Sequence, residues 1–237
     1  MWFSYDNKEW ILKDVSFEIK SKEVVAFVGA TGAGKSTILG LITRNYDIQK
    51  GQILIDGVDI KHIKLSCLRR HIGQMQQDPF LFSGSIASNI RLDDDSISDE
   101  EIMKACEEVN ASEFIDKLDE GINTHVGERG NNLSLGEKQL VSFARTLVYH
   151  PNVMLLDETT ANIDTQTEKI IQTSLERVIK DSTMIMVAHR LSTIQKANTI
   201  YVFDHGRIIE KGNHQELLKL KGKYYQLYML QYQRNQL

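Results

Sequence analysis

The chain has 237 residues, enough for one large domain or a compact domain carrying an inserted subdomain, and its 41% hydrophobic content supports a sizeable core. Its 28 basic residues against 32 acidic ones leave a net charge of −4, which excludes a broad polyanion-binding surface as the main function, so no nucleic-acid partner is expected. No apolar run approaches the roughly 18 residues of a membrane helix, no basic stretch and apolar core open the chain, and Cys67 and Cys106 lie far apart, without metal or disulfide spacing.

Residue 1 lies almost inside the first strand-like segment, as expected of a cut at a domain boundary. Val24–Val28 is then an apolar run of strand length that leads into Gly29-Ala-Thr-Gly-Ala-Gly-Lys-Ser36, the pattern G-x-x-x-x-G-K-[ST] of a phosphate loop, with a helix predicted from near Ser36. Phosphate carries dense charge and needs many donors at short range. Gly29, Gly32 and Gly34 let the backbone curl so that the amides of residues 29 to 36, Thr31 and Ala33 among them, converge, with the positive end of the following helix aimed at the same point. In this reading Lys35 neutralises the β- and γ-phosphates, the Ser36 hydroxyl ligates Mg2+, and Thr37 completes the binding set.

From about residue 78 to residue 149 the pattern is helical, for example Glu101–Val109 and Ser112–Leu118, with no convincing buried strand. This reads as a helical subdomain, about 78–149, inserted into an α/β core of about 1–77 and 150–237. Within it Ser134 and Glu137 have the S-x-x-E spacing of a capping box, which many helices use merely to start and which here would also leave an exposed helix N-terminus as a second anion site. Asp93-Asp-Asp95 and Asp99-Glu-Glu101 read as a solvated loop and an acidic first turn.

Val153–Leu156 is the next buried-strand run, and it ends in Asp157-Glu158. Such a pair can set one carboxylate beside a metal and the other toward an attacking water, or merely cap a turn. Ile170, Ile171, Leu175, Val178 and Ile179 fall at helical spacing before another apolar run, Met184–Val187. Strand, helix and strand with buried strands imply a parallel sheet covered by helices. Thr199–Phe203, His205-Gly206 and Arg207–Glu210 read as a hairpin, and a final helix bearing Tyr224, Leu227, Tyr228 and Leu230 is expected to dock on the core.

Leu133-Ser-Leu-Gly-Glu137, ahead of the 153–158 strand, resembles the signature motif of ABC ATPases, here with Leu135 and Glu137 where the commonest family pattern has glycine and glutamine. The other motifs of that family follow in order over nearly the whole chain. The resemblance is to the nucleotide-binding domain of an exporter-type ABC transporter, one half of a bacterial multidrug or lipid-type exporter. It implies a P-loop NTPase (RecA-like) core with a parallel sheet, an N-terminal antiparallel β part and an inserted helical subdomain.

The resemblance also implies roles. Tyr5 stacks on adenine with Ile11 as its apolar neighbour, although Tyr5 also fits a half-buried strand aromatic. Gln77 is the Q-loop glutamine that joins Ser36 and Asp157 on Mg2+. Glu158 is the general base, and His189, alternatively a structural residue at a strand end, is the switch histidine on the γ-phosphate. Ser134 and Gly136 face ATP held by a second nucleotide-binding domain, and Ala161–Asp164 is the D-loop, with Asp164 also suited to capping a helix.

Phe82–Ile90 and Thr124–Gly130 resemble segments typical of exporters, and the second matches the X-loop, which in that class lies near the membrane domain. The implied whole is an ATPase with ATP and Mg2+ as cofactors. It would power export by head-to-tail dimerisation, with a transmembrane domain as partner, at the cytoplasmic face of the cell membrane. A soluble ABC ATPase of repair or translation, and a half-site that binds ATP with little hydrolysis, stand as alternatives.

Overall fold

Runs of valine, isoleucine, leucine and methionine build the sheet. In the computed structural model, residues 1–75, 79–92, 94–157, 165–179, 182–187 and 191–234 are described. They fall into two compact units, Met1–Ile72 with Val153–Thr159 and Thr183–Leu237, and Gly73–Asn152 with Thr160–Ser182.

In the first unit, strands Arg207–Gly212, Thr199–Asp204, Val24–Gly29, Thr183–Val187 and Val153–Asp157 are neighbours in that order. The last four run parallel, and Arg207–Gly212 is antiparallel with a register shift between Ile208 and Glu210. Successive residues of these strands are buried on both faces (Val25, Ala26 and Phe27; Met184, Ile185 and Met186), as a sheet covered on both sides requires. On one face Val25, Phe27, Leu155, Ile185, Val187, Tyr201 and Phe203 share a core with Phe3, Leu12, Ile38 and Leu41. That core fixes the N-terminal segment and the helix Lys35–Ile42 against the sheet.

The expected N-terminal antiparallel part is sparse among the described residues. It consists of single bridges, Trp2 to Lys50 and Phe3 to Leu12, and a short hairpin of Leu54–Ile55 with Val58–Asp59. Asp56 and Gly57 both take positive φ, 49° and 79°, the turn geometry that matches the twist of a two-residue hairpin.

In the second unit, helices Ile86–Arg91, Asp99–Glu108, Ser112–Ile115 and Leu135–Leu147 pack together with Thr165–Ile179. Ser85, Ser98 and Ser134 each open a helix with a capping box, so serine side chains satisfy amides the helices leave free. The helix Thr165–Ile179, which lies in the 150–237 part expected of the core, falls in this unit. Its Ile171 and Ser174 are buried, and Asn110 Nδ2 donates to Ser174 Oγ at 2.9 Å.

Two-residue strands Gly84–Ser85 and His125–Val126 pair with each other, which joins the two exporter-like segments. Among the described residues no helix is long and apolar enough to cross a membrane.

Candidate nucleotide-binding site

Three parallel strands end together. Phe27 pairs with Val187 and Val187 with Asp157, so the three strands end at the same edge of the sheet. The carboxyl ends of parallel strands are where an open α/β sheet presents its ligand crevice. The phosphate-loop strand and the strand ending at Asp157 are not adjacent; Thr183–Val187 lies between them.

The loop itself bends where its glycines allow. Gly29, Gly32 and Gly34 have φ of 154°, 80° and 96°, and Gly34 caps the helix Lys35–Ile42 in the left-handed region. The sequence expectation of a helix from near Ser36 is met within one residue. Thr31 and Ser36 are exposed on the loop, whereas Ala33 is buried beneath it.

Lys35 is buried at 5% exposure, an unusual place for an ammonium group. Two of its three donors are used inside the loop, by the carbonyl oxygens of Gly29 at 2.8 Å and Ala30 at 2.9 Å. Burial pushes its pKa below the ordinary lysine value, and the Asp157 carboxylate opposes that shift. Ser36 Oγ donates to Asp157 Oδ1 at 3.3 Å. A hydroxyl and a carboxylate oxygen side by side are the hard donors Mg2+ takes, so the residues present fit that ion.

At the other end of the site Tyr5 is not in a strand; it is 54% exposed in a bend after Phe3. Its hydroxyl lies 3.0 Å from Thr37 Oγ1, which links the expected base-stacking residue to the phosphate-loop helix. Ile11 is half-buried, and its N–H donates to the Phe3 carbonyl at 2.9 Å.

The signature segment adopts the expected cap. Ser134 is the cap of Leu135–Leu147; its N–H donates to Glu137 Oε2 at 2.7 Å and its Oγ accepts from the Glu137 N–H at 3.3 Å. The Glu137 carboxylate is thereby folded back onto its own helix start. Gly136 is buried in the first turn and Ser134 is exposed. Further along this helix, Arg145 donates to the Asn89 backbone oxygen at 2.6 Å, to Asn89 Oδ1 at 3.0 Å and to the Phe80 carbonyl at 2.9 Å. The signature helix therefore grips the segment that carries the first exporter-like motif, a link no motif pointed to.

Gln77, Glu158, Ala161–Asp164 and His189 lie outside the described residues. In the chain Glu158 directly follows Asp157 and His189 comes two residues after Val187.

A buried lysine inside a glycine loop, between a parallel strand and a helix, with a carboxylate reaching the adjacent serine, defines a P-loop nucleoside triphosphatase. A model of the ABC transporter family matches residues 12–161, and the chain belongs to that family as one of its ATP-binding, ATPase domains. The Bacillus subtilis (strain 168) protein named "Probable multidrug resistance ABC transporter ATP-binding/permease protein YheH" is 51% identical over 229 residues, which are 97% of this chain and 34% of that protein. "Multidrug resistance protein 1" of Entamoeba histolytica is 47% identical over 220 residues, 92% of this chain and 17% of its own length. A solved bacterial Atm1-family ABC exporter with ATP bound superposes with a TM-score of 0.90 at 44% identity, over 97% of this chain and 40% of that one. The chain thus spans 34% of the first of these relatives and 17% of the second.

Proposed function

We propose that this chain binds Mg·ATP on residues 29–37 and hydrolyses it to drive export of a substrate across a membrane. The observation that carries the reading is the buried Lys35 ammonium at the mouth of the loop, next to the Ser36–Asp157 pair. Backbone amides from Gly29 to Ser36 and the Lys35 ammonium hold the phosphates, while Tyr5 and Ile11 take the adenine. Ser36, Asp157 and Gln77 hold Mg2+, which when bound neutralises charge on the β- and γ-phosphates. Glu158 accepts the proton of the attacking water, and His189 donates to the γ-phosphate.

Ser134 and Gly136 come from a second nucleotide-binding domain, identical or related, that closes head to tail on the first. The names of the relatives support a transmembrane exporter domain as the further partner over a soluble ATPase of repair or translation, and in this reading the chain works at the cytoplasmic face of the membrane.

The test is calorimetry and turnover on two variants. Lys35→Ala is expected to weaken Mg·ATP binding about 10-fold or more, the worth of charge-assisted hydrogen bonds to phosphate. Glu158→Gln is expected to keep binding and to lose about 100- to 10,000-fold in turnover, the span of general-base catalysis. Ordinary ATP binding by Lys35→Ala removes the loop assignment, and unchanged turnover in Glu158→Gln removes the base.

A further inference from the structure

A third aromatic ring stands beside Tyr5, and the turn that ends the phosphate-loop helix places it there. After Lys35–Ile42 and its cap Thr43, Arg44 takes a left-handed φ of 54°. The Arg44 N–H donates to the Leu41 carbonyl at 3.1 Å and the Asn45 N–H to the Gly40 carbonyl at 2.8 Å, the paired bonds of a Schellman turn. The chain therefore reverses, and Tyr46 lies back along the helix. A β-carbon built on Gly40 would sit 3.8 Å from the Tyr46 ring, in ordinary contact.

Tyr5 meets the same helix at Thr37, three residues before Gly40 and so on the same face. The two tyrosine rings touch edge to face, with centroids 5.1 Å apart and planes at 85°. Phe3, at 2% exposure, closes the triangle at 4.9 Å from Tyr5 and 5.8 Å from Tyr46. The Tyr5 ring is thus braced by a buried phenylalanine, by Tyr46 and by the Thr37 hydroxyl, yet it keeps 54% of its surface open. Tyr46 is itself 50% exposed, so burying its own area is a weak reason for its position.

A ring that stacks on a base gains most when it is already fixed at the right distance from the phosphate cradle, because the cost of ordering it is met before the ligand arrives. We propose that Tyr46 is a positioning residue for the nucleotide base: it braces Tyr5 against the phosphate-loop helix without reaching the phosphates. This rests on the reading of Tyr5 as the adenine-stacking residue.

The experiment compares Mg·ATP with Mg·tripolyphosphate, which has the phosphates and no base, by calorimetry on the full chain. Tyr46→Ala is expected to weaken Mg·ATP about three- to ten-fold, the worth of an aromatic pair, and to leave tripolyphosphate within about two-fold of wild type. Tyr46→Phe keeps the ring and is expected to bind both as wild type does. In a Tyr5→Ala background Tyr46→Ala adds no further loss, since the two act as one unit.

Unchanged ATP affinity in Tyr46→Ala, or a parallel loss of both ligands, overturns the proposal; should that variant not fold, Tyr46→Leu is judged by the same ratio. Tyr5→Ala with wild-type ATP affinity fails the Tyr5 reading itself. Tyr5→Ala with a selective ATP loss, beside a silent Tyr46, fails only the inference drawn here.

Discussion

Three glycines in eight residues look alike in the sequence, yet each is needed for a different reason. Gly29 pairs with Phe203 on the neighbouring strand, and a β-carbon there would lie 2.3 Å from the Phe203 carbonyl oxygen, a backbone atom that has no room to yield. Gly34 would meet the Leu12 side chain at 2.7 Å, whereas Gly32 faces open space and is glycine only for its φ of 80°. Gly29→Ala is therefore expected to destabilise the fold by about 2–4 kcal/mol, overpacking and backbone strain together, and Gly32→Ala by about 1–2 kcal/mol from strain alone. Denaturant midpoints at constant slope read both, and equal losses would show that the Phe203 contact is not what requires Gly29. The loop was legible in the sequence because phosphate chemistry fixes residue types within eight consecutive positions. Tyr46 and the Tyr5–Thr37 link were not, because the turn after the helix and the packing of Phe3 into the core bring those residues together.

Helices with polar caps could be read in the same way, and Ser134–Glu137 was. The helix Thr165–Ile179 shows the limit of periodicity: it reveals a face to be buried, but not which unit buries it, which the packing on Leu135–Leu147 and the Asn110–Ser174 bond make plain. The C-terminal helix Lys223–Arg234 docks as the sequence suggested, by a device the sequence conceals. The Glu210 carboxylate accepts the N–H groups of Lys223 and Tyr224, placing negative charge at a helix N-terminus. Tyr224 is buried, its hydroxyl is pushed up to about 12 by burial and by Tyr228, and it lies 2.7 Å from His214 Nδ1. A phenol that stays protonated throughout the neutral range donates best to a neutral imidazole, and burial lowers the His214 pKa below its usual 6.5. Well above 6.5 the ring is neutral in both folded and unfolded chains and its contribution is complete. As pH falls below 6.5 the unfolded chain takes up the proton first, so stability is lost down to the folded pKa. Melting temperatures between pH 7.5 and 5.5 are expected to fall less steeply for His214→Gln than for wild type, and identical slopes would remove His214 as the cause.

In the whole molecule the phosphate loop belongs to the first unit and the signature helix start, the second phosphate contact proposed above, to the second. In the proposed function neither alone supplies the charge stabilisation phosphoryl transfer needs, and each site is completed by another copy or a related domain. Complementation tests this on the chain itself. Lys35→Ala removes the phosphate-loop cation but keeps an intact signature helix; Ser134→Arg blocks the signature helix start but keeps an intact phosphate loop. Each variant alone is expected to be close to inactive. When they are mixed in equal amounts, half of the dimers pair one of each, and in every such dimer the loop of the Ser134→Arg copy faces the signature helix of the Lys35→Ala copy. One of its two sites is whole, so turnover is expected to recover to about a quarter of wild type if the sites act independently. Recovery should rise with total protein concentration, as pairing demands. A mixture no more active than its components at concentrations where wild type turns over would mean that each chain hydrolyses ATP without a signature helix from a partner, and the head-to-tail dimer would have to be abandoned.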